Sequence, residues 1–381
     1  MFEKELILER AILYMLINLG GGLPDPKTFP WEEVGRIVDA LLRDRADQAL
    51  QYADVEGLEE VRREISRFIY RRGVSINPDQ ILITGGAKEA IFLISELFSQ
   101  NTVASEEPTF QGFIGTMSFR GLRAYPIPWD ERGPMTEVLE RKLKALKMWA
   151  DPIKYFYVVP VHNPTGRVMS MERRKHLMEL ATDFDFQVIE DDIYGFFTYD
   201  SPPELSLKSM DKEGRVFYIS SFSKIISPGL RIGFIAYEGR EIEKLASIKG
   251  EINHQVSTLD QLIVGEMLGR GIVDSIIENS RLLYKKKRNI TVDSIEEYFP
   301  STTGCTYPEG GFFALCRGEG LNSSSLAVEA MRRGVRILPG EKFFFSAESG
   351  KNSFRLSFSY PTEEELVEGI KVLGSLLKEV K

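Results

Sequence analysis

A chain of 381 residues, 43% hydrophobic and 27% charged, has room for two packed cores, and its composition excludes disorder, collagen and coiled coil. Lys plus Arg number 48 against 56 Asp plus Glu, a formal net charge of -8; nucleic-acid binding is disfavoured because it needs a basic surface. Two cysteines, Cys305 and Cys316, make no disulfide framework and suit a reducing cytoplasm, and with His162, His176 and His254 they show no metal-ligand spacing, so no metal is expected.

In chain order, Ala11 to Leu19 are mostly apolar, but mixed charge at Glu3, Glu5, Glu9 and Arg10 precedes them. Gly20-Gly21-Gly22-Leu23-Pro24 follows, with no small-x-small cleavage site, so no secretory signal is expected. No apolar run nears the ~18 residues of a membrane span, and a cytoplasmic protein is the expectation. Val34, Ile37, Val38, Leu41 and Leu42 repeat with helical spacing, as do Leu58, Val61, Ile65, Phe68 and Ile69. Short apolar runs then alternate with helical stretches: Ile81 to Ile83, Thr102 to Ala104, Tyr155 to Val159, Phe186 to Ile189, Val216 to Ile219 and Ile232 to Ala236. Runs of this kind predict a mostly parallel sheet covered on both faces, an α/β core. Helix around Ile272 to Tyr298, strands near Phe313, Val335 and Phe354 to Phe358, and a terminal helix predict a smaller α+β domain, with the long helix crossing into it.

Chemistry concentrates past the strand ends. Ser220-Ser221-Phe222-Ser223-Lys224 follows the Val216 run and precedes Pro228-Gly229-Leu230-Arg231. A lysine among apolar neighbours has its amine pKa lowered and can act as a Schiff-base nucleophile, while Ser221, Ser223 and Arg231 suit a phosphate dianion. Read alone, such a stretch is also an ordinary solvated loop. His162-Asn163-Pro164-Thr165-Gly166 closes one strand, and Glu190-Asp191-Asp192-Ile193-Tyr194 closes the next. Groups past consecutive carboxyl ends share one crevice in an open α/β sheet, which gathers Asn163, Asp191, Tyr194 and Lys224.

Taken with Gly21-Gly22-Leu23-Pro24-Asp25-Pro26, Gln51-Tyr52, Thr84-Gly85-Gly86-Ala87-Lys88-Glu89-Ala90, Glu107-Pro108-Thr109-Phe110 and Phe354-Arg355-Leu356-Ser357-Phe358, these segments make the chain resemble a known family almost end to end. It is similar to the fold-type I pyridoxal-phosphate (PLP) enzymes of the class I/II aminotransferase group, in the branch of 2-aminoadipate, kynurenine and broad aromatic or branched-chain aminotransferases. The resemblance implies a large domain with a mostly parallel seven-stranded sheet plus a smaller α+β domain. It divides the chain into residues 1–22, an arm joining the small domain, 23–280, the large PLP-binding domain, and 281–381, the small domain.

The resemblance also implies roles. Lys224 would carry PLP covalently and later move the proton between substrate and cofactor. Asp191 would pair with the pyridine nitrogen, so that the ring can accept electrons. Asn163 and Tyr194 would hydrogen-bond the 3′-oxygen. Phe110 would stack on the ring where the family usually has Tyr, keeping the apolar face and losing a hydroxyl; plain core is the other reading of this residue. Backbone N–H groups of Gly86, Ala87 and Lys88 at a helix start, with Ser221, Ser223 and Arg231, would cradle the phosphate, the Lys88 side chain being solvated. Gly86 and Ala87 depart from the Ser or Gln that relatives often place there. Tyr52 would reach the phosphate of a neighbouring subunit, which implies a homodimer. Arg355 would fork onto the substrate α-carboxylate, and Gly22 would lie beside the substrate side chain with Asn163 close by.

The implied activity is ping-pong transfer of an amino group from an L-amino acid to a 2-oxo acid such as 2-oxoglutarate, through the pyridoxamine phosphate form. No clear second arginine marks a dicarboxylate side chain. The alternatives are a PLP-dependent lyase or synthase on the same fold, and a non-catalytic module of the kind fused behind a winged-helix DNA-binding domain. The second is disfavoured by acidity and by a pattern that starts within the first ~25 residues.

Overall fold

The structure, a computed structural model, describes residues 16–98, 102–148 and 152–379. Residues 1–15, which hold most of the expected arm and the charges ahead of its apolar stretch, lie outside the described residues. The first described strand, β1 (Ile17–Asn18), pairs in parallel with Val335–Arg336 near the other end of the chain.

All six apolar runs become strands of one sheet. They are β2 (Ile81–Thr84), β3 (Thr102–Glu107), β6 (Ile153–Val158), β7 (Gln187–Asp191), β8 (Val216–Ser221) and β9 (Gly233–Ala236), joined by β4 (Ala124–Asp130) and the two-residue β5 (Gly133–Pro134). The order is β2-β9-β8-β7-β6-β3-β4-β5, seven strands of four residues or more plus the short β5 at one edge. Side chains alternate across β6: Phe156 and Val158 enter one core, under helices Thr136–Met148 and Met171–Phe184, while Tyr155 and Tyr157 enter the other. Burial on both faces explains the near-continuous apolar runs.

Strand direction decides what meets at the edge. β4, β3, β6, β7 and β8 are parallel; β9 is antiparallel to β8, and β2 is antiparallel to β9, so β2 again runs with the majority. The carboxyl ends of β2, β3, β6, β7 and β8 therefore lie along one edge with the amino end of β9.

Beyond the long helix Ile272–Tyr298, which packs on the terminal helix Glu363–Glu379, lies an antiparallel sheet of β10 (Thr303–Cys305), β11 (Phe313–Gly318), β13 (Leu338–Pro339) and β14 (Ser353–Ser357). Val335–Arg336 is β12, and the order in the four-stranded sheet is β10-β11-β14-β13. One expectation is corrected here. The sequence argues against disulfides, yet Cys305 and Cys316 are bonded, because the antiparallel register sets them directly opposite, 4.0 Å apart at Cα. The inference of a reducing compartment from unlinked thiols loses its basis. Among the described residues, no helix is long and apolar enough to cross a membrane.

Candidate active site

Lys224 lies three positions past the end of β8, and its Nζ donates to the Gly22 carbonyl at 2.7 Å. Burial first, then the charges of Arg355 and Arg231, pull its amine down to about 8. The amine is therefore uncharged in about a tenth of molecules at pH 7, far more than for an ordinary lysine, as a nucleophile or base requires.

Gly22 belongs to a ribbon tied to the small sheet. The Leu19 carbonyl accepts from Ser357 N–H at 2.7 Å, that of Gly20 from Arg355 Nη2 at 2.7 Å, and that of Leu23 from the Ser359 hydroxyl at 2.6 Å. Asp25 donates its N–H to the Tyr284 hydroxyl at 3.0 Å and pairs with the buried Lys287 ammonium. A Cβ on Gly22 would stand 2.7 Å from the Phe313 ring, so this approach requires glycine.

Arg355, at the middle of β14, is 3% exposed. Nη1 donates to Asn163 Oδ1 at 2.8 Å, and Nε has no partner. The guanidinium carbon lies 3.9 Å from the Phe313 ring centre and 4.8 Å from that of Phe343. Burial without a facing carboxylate pulls the guanidinium below its ordinary pKa, which marks a cation suited to an incoming anion.

The acidic triplet that closes β7 divides its work. Asp191 is buried, its Oδ2 accepts from the Tyr157 hydroxyl at 2.7 Å, and its Oδ1 has no partner. Burial above all pushes this carboxyl up to about 7, with the Tyr157 bond opposing the rise. Asp192 instead binds Arg72 Nε at 2.9 Å and the Tyr218 hydroxyl at 2.8 Å, while Glu190 accepts from the backbone N–H groups of Leu207 and Lys208. Tyr194 is buried edge-on to Phe312 and Phe313, at 5.2 and 5.7 Å between centres.

At the β2 end, Gly86 stands at φ 95° and starts helix Ala87–Ser95 with no side-chain cap. The N–H groups of that helix start are free to meet an anion. A Cβ on Gly86 would lie 2.7 Å from Arg231 Nη2. Arg231, itself at φ 55°, donates to the Gly85 carbonyl at 2.6 Å and to Ser223 Oγ at 3.4 Å, and Ser221 Oγ donates to Ser223 Oγ at 3.0 Å. The predicted cradle is thus assembled from β2, β8 and the approach to β9.

Lys224, Arg355, Asn163, Gly22, Tyr194, Asp191, Ser221, Ser223, Arg231, Gly86 and Ala87 gather along this one edge. The Lys88 side chain is exposed, as expected. Phe110 heads helix Gln111–Phe119, half-buried, with its ring over Gly112. Tyr52 stays outside the cluster: it is 78% exposed, edge-on to His254.

Four contributors are given no role at the site by the sequence reading. Tyr157 holds Asp191, and Phe313 and Phe343 flank Arg355. His162 joins two loops through Thr165 Oγ1 at 2.7 Å and the Pro108 carbonyl at 3.0 Å; burial lowers its pKa to about 3, so it is neutral. The alternation of tyrosines in β6 is the one sequence signal that points to Tyr157.

These residues fit PLP. The lone Asp191 oxygen suits a protonated ring nitrogen, the uncapped helix start beside Arg231 suits a phosphate, and Lys224 suits the aldehyde.

Comparison with known proteins agrees. The family model for aminotransferase class I and II matches residues 15–373. Aromatic-amino-acid aminotransferase 1 of Thermococcus litoralis is 36% identical over 96% of this chain and 88% of its own length. The kynurenine aminotransferase of Pyrococcus horikoshii, solved in complex with PMP, superposes with a TM-score of 0.92 at 35% identity, over 99% of this chain and 94% of that one. The alpha-aminoadipate aminotransferase of Thermus thermophilus, solved with N-(5′-phosphopyridoxyl)-L-leucine, gives 0.89 at 30% identity, over 97% and 94%. The chain belongs to the class I and II aminotransferase family and is a PLP-dependent aminotransferase of fold type I.

Proposed function

We propose that this aminotransferase takes its amino group from an L-amino acid with an aromatic, 2-aminoadipate-like or branched side chain and delivers it to a 2-oxo acid such as 2-oxoglutarate. The observation that carries the reading is the buried Arg355 fork, with an unpartnered Nε, in the electrostatic field of the Lys224 amine. An α-carboxylate on Arg355 brings the α-proton toward Lys224. Phe313 and Tyr194 beside Gly22 make an apolar setting for a large side chain. The aromatic, kynurenine and aminoadipate relatives support the same donor classes.

Bound PLP supplies an aldehyde carbon and a ring that accepts electrons. The Lys224 amine, titrating at about 8, would take the proton from the substrate Cα and hold it for return. Asp191 would keep a proton on the ring nitrogen, Asn163 and Tyr194 would bond the 3′-oxygen, and Phe110 would cover the ring. Ser221, Ser223, Arg231 and the Gly86-Ala87-Lys88 backbone would hold the phosphate.

Within this proposal the working unit is a homodimer. Tyr52, 78% exposed, with Leu50 at 72% and Trp31 at 73%, supports a face covered by a second copy, Tyr52 then reaching the partner's phosphate. Residues 23–280 form the large domain and 281–381 the small one, with the arm up to residue 22 joining the latter through β1 and β12. The test is single turnover with a panel of L-amino acids, followed by visible absorbance. Loss of the PLP band with aromatic, aminoadipate or branched donors is expected; a response confined to small or dicarboxylic four-carbon donors overturns the substrate reading.

A further inference from the structure

We propose that Tyr157 is a positioning residue for the cofactor: its hydroxyl holds Asp191 as a carboxylate and leaves the second oxygen to receive the ring nitrogen. The inference rests on the role of Asp191 proposed above.

The geometry begins with register. Tyr157 on β6 pairs with Ile189 on β7, so Asp191 is its diagonal neighbour two residues on, on the same face of a parallel pair. A phenol spans that diagonal, and its Oη lies 2.7 Å from Oδ2. The ring is held flat against Phe113, 4.0 Å between centres and 1° between planes, which limits where the hydroxyl can go. Burial and the neighbouring carboxyl push the phenol well above its ordinary pKa, so the hydroxyl keeps its proton and acts as donor.

Donation to Oδ2 has two consequences. It stabilises the ionised form of Asp191 against burial, and it leaves Oδ1 as the buried acceptor without a partner. The other groups facing the pair are Glu106 from β3, Asp192, Tyr194 and the Ile193 N–H. Glu106 is itself pushed well above its ordinary value by burial, a shift that works against its negative charge. Tyr157 is then the side chain that biases Asp191 toward the ionised state needed to pair with a protonated ring.

Pyridoxamine phosphate, which binds without a bond to Lys224, is the probe. Titrated into apoenzyme, Tyr157→Phe is expected to bind it about tenfold more weakly. The acid limb of that affinity moves to higher pH, because loss of the donor raises the Asp191 pKa. In the reconstituted enzyme, kcat falls while KM for the amino acid changes little. Phe113→Leu, which loosens the stack and keeps the hydroxyl, gives a smaller loss. Fluorotyrosine at 157, the same shape with a stronger donor, moves the acid limb to lower pH and tests the idea even if the phenylalanine variant does not fold. In an Asp191→Asn background, Tyr157→Phe adds no further loss. An unchanged affinity and acid limb in Tyr157→Phe, with Asp191→Asn still impaired, overturns the role of Tyr157 alone. An unimpaired Asp191→Asn overturns the Asp191 reading and this one with it.

Discussion

The edge of the large sheet and the face of the small one present their working groups in opposite ways. Asp191 is the last residue of β7, still paired with Ile219 of β8, while Asn163 and Lys224 lie on the turns beyond β6 and β8. Arg355 sits inside β14, paired on one side with Leu315 of β11 and on the other with Leu338 of β13. Groups assigned to the cofactor and the proton sit at the edge of one sheet, whereas the group that recognises a fixed shape is locked on both flanks within the other. Chemistry and recognition are thus divided between two sheets, and Gly22 and Asn163 are where they touch.

Substitutions can test that division. The largest effect is expected for Lys224→Ala, which removes the proton carrier and should lower kcat by about 10³-fold or more while leaving carboxylate binding at Arg355 intact. Borohydride labelling in the presence of PLP should also disappear, and a variant that still turns over at the original rate would contradict the assignment. Removing one member of a buried ion pair behind the large edge, Arg72→Leu, should cost about 3 kcal/mol of stability in a urea titration, because Asp192 is left charged and buried.

Arg355→Leu sharpens the contrast from the other side. A loss of about 100-fold in kcat/KM is expected, from weakened binding more than from a slower step. Should kcat fall with KM unchanged, recognition and chemistry are not divided as described. The smallest effect belongs to Cys305→Ser, which removes the tie between β10 and β11. About 2 kcal/mol of stability should be lost, with PLP affinity unchanged, and dithiothreitol should reproduce the loss in the unmutated protein.

What could be read from the sequence follows the same division. Strands buried on both faces are near-continuous in apolar residues, so β2, β3, β6, β7, β8 and β9 stand out, and the rule that ligands bind past carboxyl ends gathers their turns. β4 is hidden by Pro126 and Pro128. Pro128 turns its carbonyl to the Met135 N–H, away from β3, so its missing N–H costs no ladder bond, yet a proline pair reads as a break. The disulfide depends on a register between β10 and β11 that spacing alone does not reveal. Arg355 follows from family resemblance more than from pattern, since an arginine in a strand ordinarily faces water. Tyr157, Phe313 and Phe343 look like core residues in any one-dimensional reading, because each is apolar over most of its surface and acts through one polar tip or one ring face.

The ribbon from Leu19 to Asp25 behaves as a latch bolted to one door leaf. Four of its residues are fastened to the β14 segment or to the long helix, and the carbonyl of Gly22 is its tongue, resting on the lysine of the opposite leaf. Because the same ribbon is tied to the strand that carries Arg355, the glycine carbonyl and the carboxylate-binding fork share one support, and a change that loosens either fastening is felt at both.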